Sequence, residues 1–163
     1  MKLRIAGLLL YSLCAVQVDA GPVEFQARVI RIADGDTLTV LFQKRPVRLR
    51  LLGVDAPEVR QAYGNRARQF AASLVFGKTV TVRAISNDRY GRKLVTIILP
   101  DGRNLNHELV RAGFAWWFRR YAPGDRELER LEARARGERV GLWQDTNPTP
   151  PWEFRDATRR AIR

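Results

Sequence analysis

Apolar and polar residues alternate along much of the chain between residues 25 and 98. This two-residue period predicts β-strands, because successive side chains of a strand point to opposite faces. In the third strand, Arg50 is expected to face away from the side that Leu49 and Leu51 share. Gln43-Lys44-Arg45-Pro46 is predicted to connect the second and third strands as a hairpin. The five predicted strands cover residues 25–32, 37–42, 47–52, 80–84 and 94–98.

Apolar residues at helical spacing predict three helices. The first is expected from Asn65 to Val75 and the second from Asn106 to Ala112, and a glycine follows each closely. A third helix is expected after Asp125, because an aspartate can cap a helix N-terminus. Five strands interrupted by a helix predict an α+β domain. We expect a five-stranded β-barrel of the oligonucleotide-binding type with about three helices packed against it.

The N-terminal segment, residues 1–20, has two basic residues ahead of an apolar run. Val18 and Ala20 fit the small-residue positions of a cleavage site, so this segment is predicted to be a signal peptide removed before Gly21. The chain's one cysteine, Cys14, lies inside this segment. The mature protein is therefore expected to be exported, to a periplasm or the medium, and to contain no disulfide.

The C-terminal segment, residues 146–163, is rich in proline and arginine. Asn147-Pro148-Thr149-Pro150-Pro151 is expected to be extended, because proline lacks a backbone N–H and disfavours helical geometry in the preceding residue. Arg155 to Arg163 is expected to form a basic tail. The barrel domain is accordingly predicted to cover residues 21–145.

The charge balance is strongly basic. Lys and Arg total 29 against 17 Asp and Glu, which gives a net charge of +12 and a pI near 11.1. Such a chain is expected to bind an acidic polymer or surface, with nucleic acid ahead of an anionic membrane. A basic composition alone also suits a solvated surface, so the position of the acidic residues must decide between these interpretations.

Three short segments carry the acids and arginines that suggest chemistry: residues 34–37, 49–58 and 88–92. If Asp36, Asp55 and Glu58 lie close together, each pair repels by about 4 kcal/mol at 4 Å, which a bound cation would relieve. Calcium prefers several oxygen ligands, and two aspartates with one carbonyl suit it. Pro57 biases Ala56 towards an extended conformation that presents this carbonyl.

The same segments offer the other parts of a phosphodiester-cleaving site. Glu58 lies just after the second acidic turn and is expected to hold a water molecule and accept its proton. Arg50 and Arg92 carry planar guanidinium groups, which bind phosphate oxygens in pairs and stabilise their developing charge. Each segment alone also fits an ordinary turn or hairpin loop, and it is their combination that indicates an active site.

These motifs resemble those of the thermonuclease family, the staphylococcal-nuclease-like domains, from about Val29 to Trp143. The resemblance implies a five-stranded barrel with three helices and calcium-dependent hydrolysis of DNA and RNA, leaving 3′-phosphates. It implies these roles: calcium ligands Asp36 and Asp55, with the Ala56 carbonyl; catalytic residues Arg50, Glu58 and Arg92; and substrate-binding residues Arg89, Tyr90 and Tyr121.

Three positions depart from the family pattern. Ala56 replaces a threonine that is common there, and the carbonyl ligand is expected to survive this change. Arg119 stands where a site tyrosine is expected, which weakens the match at Tyr121. The segment 59–64 is short, which bears on access to duplex DNA. We expect a monomer that prefers single-stranded DNA and RNA and has no stable membrane partner.

Two other functions remain open at the level of sequence. A non-catalytic module on the same fold would bind single strands through a basic groove and aromatic rings. An exported basic protein would bind anionic envelope surfaces through its C-terminal tail. Neither requires carboxylates beside a phosphate site, so Asp36, Asp55 and Glu58 favour the enzyme. If these acids repel one another, Asp36→Ala is expected to leave the metal-free stability unchanged or raise it.

Overall fold

The computed structural model describes residues 23–162, and five long strands in it form a closed barrel. The barrel strands are β1 (Val23–Ile32), β2 (Thr37–Phe42), β3 (Arg45–Leu51), β5 (Thr79–Asn87) and β6 (Lys93–Ile98). Neighbouring strands pair in the order β1-β2-β3-β6-β5, and β5 closes the barrel against β1. The predicted α+β fold of the oligonucleotide-binding type is confirmed. The predicted signal peptide, its cleavage site and Cys14 lie outside the described residues.

The turn between β2 and β3 is tighter than predicted. Only Gln43 and Lys44 form it, with φ values of 48° and 62°, while Arg45 and Pro46 pair with Phe42 and Leu41 inside the hairpin. Two residues in the left-handed region give the backbone twist that joins antiparallel strands closely. Pro46 is tolerated in β3 at the end of the strand beside this turn.

Two short strands were not predicted from the sequence. Strand β4 (Val54–Asp55) pairs with β7 (Trp116–Trp117), and this places Asp55 opposite Trp116. All four residues are buried. A two-residue strand is too short to show alternation of apolar and polar residues in the sequence. The pairing nevertheless holds the second acidic turn against β7.

The three predicted helices are present: α1 (Gly64–Val75), α2 (Leu105–Arg111) and α3 (Arg126–Gly137). The Asp125 carboxylate accepts a hydrogen bond from the Leu128 N–H at 3.0 Å, so this residue caps α3 as expected. The core is continuous between the barrel and these helices, with Val40, Leu49 and Ile97 from strands and Leu105 and Leu131 from helices all nearly inaccessible. Within residues 23–162, no helix is both long and apolar enough to span a bilayer.

A fourth helix, α4 (Pro151–Ala161), forms where a proline-rich segment and a basic tail were expected. The expectation of extended backbone is wrong at Pro151, which is the first residue of α4. Proline is well suited to this position because the first N–H groups of a helix have no partner within it. A 3₁₀ turn at Gly141–Gln144 precedes the segment that leads to α4.

Helix α4 packs back onto the domain. Pro151 is buried, and the Trp152 ring is stacked on Phe118, with centroids 5.3 Å apart and planes 4° apart. The same tryptophan meets Trp116 edge to face at 5.6 Å. The Gln61 amide nitrogen donates to the Thr149 carbonyl at 2.6 Å. These contacts hold α4 beside the turn that carries Glu58.

Candidate active site

The first acidic turn is organised by Asp34. Its carboxylate accepts hydrogen bonds from the N–H groups of Asp36 at 3.0 Å and Thr37 at 2.6 Å. These side-chain bonds, together with the Ala33 N–H that donates to the Thr37 carbonyl at 2.9 Å, close the turn between β1 and β2. The Asp36 side chain is thereby directed into the protein, where its exposed fraction is 1%.

The two acidic turns touch at Gly35. A Cβ atom at this position would lie 2.6 Å from the Cβ of Ala56 and 3.0 Å from that of Ala67. Glycine is required here because the turns approach too closely for a side chain. The contact also lets the Ala56 N–H donate to Asp36 Oδ2 at 2.5 Å, so one turn holds the carboxylate of the other.

Arg50 joins the acids of the two turns. Its Nη1 forms an ion pair with Asp36 Oδ1, and its Nη2 contacts Asp55 Oδ1 at 2.7 Å. Asp55 is fully buried, and only 14% of the Arg50 side chain is exposed. We refer to Asp36, Arg50 and Asp55 as the buried acid–arginine cluster. Because one guanidinium contacts both carboxylates, the two aspartates converge on a single position suited to positive charge.

Glu58 lies at the edge of this cluster and is more accessible, with 37% of its side chain exposed. Its N–H donates to the Gln61 side-chain oxygen at 3.2 Å. Its carbonyl is close to Gly64, where a Cβ atom would lie only 1.8 Å from that oxygen. The start of α1 therefore packs directly against the Glu58 backbone. This contact fixes the position of the backbone from which the Glu58 side chain extends.

Sequence reasoning missed Arg155 of α4. Its Nη2 contacts Asp55 Oδ2 at 2.7 Å, and its Nη1 contacts Asp55 Oδ1 at 3.1 Å and Glu58 Oε1 at 2.8 Å. Partial burial works against the charged form of Arg155, but hydrogen bonds to the two acids outweigh it and raise its pKa. The one sequence feature that could have indicated this role is Trp152, a large apolar residue one helical turn before Arg155.

Arg92 is held by its own loop. Asp88 accepts hydrogen bonds from the N–H groups of Tyr90 and Arg92, both at 2.9 Å, and its second oxygen contacts Arg92 Nε at 2.7 Å. Burial tends to raise the pKa of Asp88, but the hydrogen bonds from Arg92 and Tyr90 outweigh it and leave the pKa below its usual value. The guanidinium groups of Arg89 and Arg92 lie 4.9 and 5.4 Å from the Tyr90 ring centroid.

A cleft of about 850 Å³ is lined by side chains from each of these parts of the site: Arg50, Glu58, Arg92 and Arg155. Tyr90 and Tyr121 are the most exposed aromatic residues along it, at 67% and 56%. Arg119 is not among the lining residues. It lies over the Trp117 ring at 4.4 Å and pairs with Glu132. Arginine is the most frequent residue type in the lining: Arg48, Arg50, Arg89, Arg92, Arg120, Arg155 and Arg159.

The predicted site residues fall into two layers of one region. Those expected to contact substrate or to act in catalysis all line the cleft, and those expected to hold calcium lie behind it, with Ala56 buried beside Asp36. Among residues 23–162, no three side chains of Asp, Glu, His or Cys are arranged to hold a metal ion together. The lining residues predicted from the sequence are Arg50, Glu58, Arg89, Tyr90, Arg92 and Tyr121.

Comparison with known proteins gives consistent matches. Residues 48–145 match the family model described as staphylococcal nuclease homologue. The chain is 39% identical over 172 residues to the micrococcal nuclease of Shigella flexneri, with 99% of each chain covered. It is 47% identical over 152 residues to Protein ParB of Escherichia coli, with 86% of each covered. An uncharacterized endonuclease of Escherichia coli O157:H7 is 46% identical over 132 residues, which cover 81% of this chain and 86% of that relative.

Proposed function

The chain belongs to the staphylococcal nuclease family, and on that premise we propose that it is a calcium-dependent endonuclease that hydrolyses phosphodiester bonds of DNA and RNA. Relatives named as a micrococcal nuclease and as an endonuclease support the nuclease activity. We further propose that cleavage leaves 3′-phosphates. The scissile bond would lie in the part of the cleft that Glu58 and Arg50 line.

One observation supports this proposal above the others. Arg50 and Glu58, which suit phosphate binding and proton transfer, line the same cleft as Tyr90 and Arg92. Carboxylates repel a nucleic-acid backbone, so a module that only binds would gain nothing from Asp55 and Glu58 at this position. A metal-dependent hydrolytic site would use Asp55 to hold the cation and Glu58 to accept a proton.

The proposed roles follow from each side chain's chemistry and position. Glu58 is accessible at the cleft and would accept a proton from the attacking water. Arg92 would bind the phosphate through its planar guanidinium, and Arg50 would do so from the barrel wall, where it is already charged and held. Positioned donors of this kind stabilise charge that develops on phosphate oxygens in the transition state.

The buried acid–arginine cluster fits a calcium ion in the chemistry of its donors. Asp36 and Asp55 are carboxylates that converge on one cationic group, and calcium takes oxygen ligands in flexible geometry. These two aspartates and the Ala56 carbonyl would hold the ion. When bound, calcium would polarise a phosphate oxygen and favour the ionised form of a nearby water. The fold itself should not depend on it, because the core is formed by apolar residues.

The cleft also supports a preference for single strands. Tyr90 and Tyr121 expose their rings where unpaired bases can stack, and the surrounding arginines track a phosphate backbone. Affinity should fall steeply with added salt, because each arginine–phosphate contact releases counterions. We propose that the enzyme acts as a monomer.

Export is part of the same proposal. Residues 1–20 have the pattern of a signal peptide, and we propose cleavage before Gly21 and delivery to the periplasm or the medium. Mass spectrometry of the N-terminus of protein isolated from the native host tests this. A mature chain that retains residues 1–20 would contradict it.

The function is tested by incubating the purified protein with single-stranded DNA in the presence of calcium or of a calcium chelator. Shortening of the DNA is expected only with calcium. Glu58→Gln keeps the shape of the side chain and removes its charge, so turnover should fall about 10²- to 10⁴-fold. Binding of the oligonucleotide should change little.

The matched control is Glu153→Gln, which removes the same charge from an exposed residue of α4. Its turnover should equal that of the wild type. Cleavage that persists in the chelator would refute the calcium assignment. Tight binding of DNA without cleavage under any condition would instead identify a non-catalytic binding module.

A further inference from the structure

Helix α4 places a third guanidinium at the acids of the site. Arg155 contacts both oxygens of the buried Asp55 and one oxygen of Glu58, over sequence separations of 100 and 97 residues. Its side chain remains 36% exposed towards the cleft. Arg155 thus bridges Asp55, which is expected to bind a cation, and Glu58, which is expected to accept a proton. Attachment of α4 to the domain does not by itself explain this bridge.

Docking of α4 does not require this contact. Pro151 is buried, and the Trp152 ring stacks on Phe118 and meets Trp116 edge to face, so apolar packing already fixes the first turn of the helix. Arg155 lies one turn later and extends from the packed end of α4 to the carboxylates. The other cleft-lining arginine of this helix, Arg159, pairs with Asp156 of α4 itself.

The charges around the cluster indicate why Arg155 is present. Asp36, Asp55 and Glu58 carry three negative charges, whereas Arg50 and Arg155 supply two positive charges, and Arg92 is paired with Asp88. A calcium ion together with one phosphodiester would bring the site to neutrality only if Arg155 stays nearby. Without Arg155, the loaded site would keep an uncompensated negative charge.

We propose that Arg155 is a phosphate-binding residue of the active site that Asp55 and Glu58 hold until calcium and substrate arrive. In the free protein it occupies the carboxylates and competes with calcium for Asp55. Once a cation takes Asp55, the guanidinium is released towards the cleft and binds a phosphate of the substrate. This inference rests on the proposed nuclease function and adds α4 to its substrate-binding surface.

Two measurements on Arg155→Gln test the proposal. Calorimetric titration with calcium alone, without nucleic acid, should show binding about fivefold tighter than in the wild type, because a competing charge is gone. The KM for a single-stranded DNA oligonucleotide, measured at saturating calcium for each protein, should rise about fivefold or more, because a charged phosphate contact is lost. A purely structural arginine would not move these quantities in opposite directions.

Arg160→Gln is the matched control, since it removes the same charge from an exposed position of α4 that does not line the cleft. It should stay within about twofold of the wild type in both measurements. Arg155→Lys keeps the charge without the planar fork and should shift both quantities in the same directions by less. If circular dichroism shows that Arg155→Gln does not fold, the calcium titration and the KM measurement on Arg155→Lys test the proposal instead.

The proposal requires both results. It is overturned if calcium affinity or KM in Arg155→Gln matches that of Arg160→Gln. A wild-type protein that neither binds calcium nor cleaves DNA would overturn the proposed function instead. The two failures are therefore distinguishable.

Discussion

The two sides of the cleft are stabilised by different means. On the barrel side, Asp36 and Asp55 of the buried acid–arginine cluster are at most 1% exposed, and three of their four carboxylate oxygens have a partner on β2, β3 or the second acidic turn; the fourth, Asp55 Oδ2, is bonded by Arg155. On the other side, Arg92 is held by a single loop carboxylate, and Arg155 by two acids that have other proposed tasks. We therefore expect the barrel side to be preorganised by the fold and the outer side to rearrange when substrate binds.

The largest effect should come from replacing an arginine on each side. Arg50→Lys and Arg92→Lys keep the charge but lose the planar fork, so turnover should fall about 10³-fold or more in both. Arg50→Lys should also lower the free energy of unfolding by about 1–3 kcal/mol, because a lysine cannot contact both buried carboxylates. Arg92→Lys should lower it by less, because Asp88 keeps its bonds to two backbone N–H groups of the loop. Chemical denaturation and steady-state kinetics of the two variants measure this contrast.

Arg130→Lys is the control, because Arg130 pairs with Glu127 on the exposed face of α3. Its kinetics and stability should match those of the wild type. Equal stability of Arg50→Lys and Arg92→Lys would mean that the barrel side is no more preorganised than the loop.

Removal of Asp36 tests the cluster itself. The sequence alone suggests that Asp36→Ala relieves repulsion, but the structure shows Asp36 neutralised by Arg50 and bonded to the Ala56 N–H. The substitution would leave these donors without their acceptor in a buried site. We therefore expect the metal-free protein to lose about 3 kcal/mol of stability.

Thermal and urea unfolding in the presence of a chelator measure this loss. Asp156→Ala, which breaks an exposed pair within α4, should cost no more than about 0.5 kcal/mol. Unchanged or increased stability of Asp36→Ala would restore the repulsion argument and contradict the role assigned to Arg50.

The reversal at Asp36 illustrates what the sequence could and could not predict. Strand alternation and helix spacing are local, so the barrel and the first three helices followed from the pattern. The expected site residues lie in motifs of a few residues each, and this is why they were recognisable. That Arg50 would neutralise the acids depends on the cross-strand pairing of Arg50 with Thr37, which brings β3 beside the first turn.

Helix α4 was not predictable in the same way. Its prolines suggested extended backbone, although Pro151 in fact begins the helix. Its large apolar residues are only Trp152 and Phe154, too few to indicate from the sequence that the segment packs on the domain. The contact between Arg155 and Glu58 depends on where β7 places Phe118 for Trp152 to stack on. Such long-range contacts are properties of the assembled fold.

A smaller effect is expected from the backbone support of Glu58. In Gly64→Ala the new methyl group would meet the Glu58 carbonyl, so the chain must shift. We expect a stability loss of about 1–3 kcal/mol and a fall in turnover, because the Glu58 carboxylate moves with its backbone. Gly137→Ala, at the end of α3 with no atom within 4 Å of the new Cβ, should be neutral or slightly stabilising. Activity retained in Gly64→Ala would show that the position of Glu58 is not set by α1.

The smallest effect concerns the loop that holds Arg92. The pKa of Asp88 is lowered in the folded protein, so its contacts contribute stability that is fully present above the unfolded pKa, near 3.8, and is lost as the pH falls through the lower folded value. Asp88→Asn should therefore be less stable than the wild type by about 1 kcal/mol at pH 7, and the difference should shrink progressively below pH 4. Urea denaturation at a series of pH values measures this difference in stability.

The exposed Asp101 pairs with Arg103 and also has a lowered pKa, so Asp101→Asn serves as a control that shares the pH trend but leaves the KM for DNA unchanged. If Asp88→Asn lowers stability equally at pH 7 and pH 3, the Asp88 charge does not hold the loop. An unchanged KM in Asp88→Asn would then show that Arg92 needs no such support to reach the phosphate.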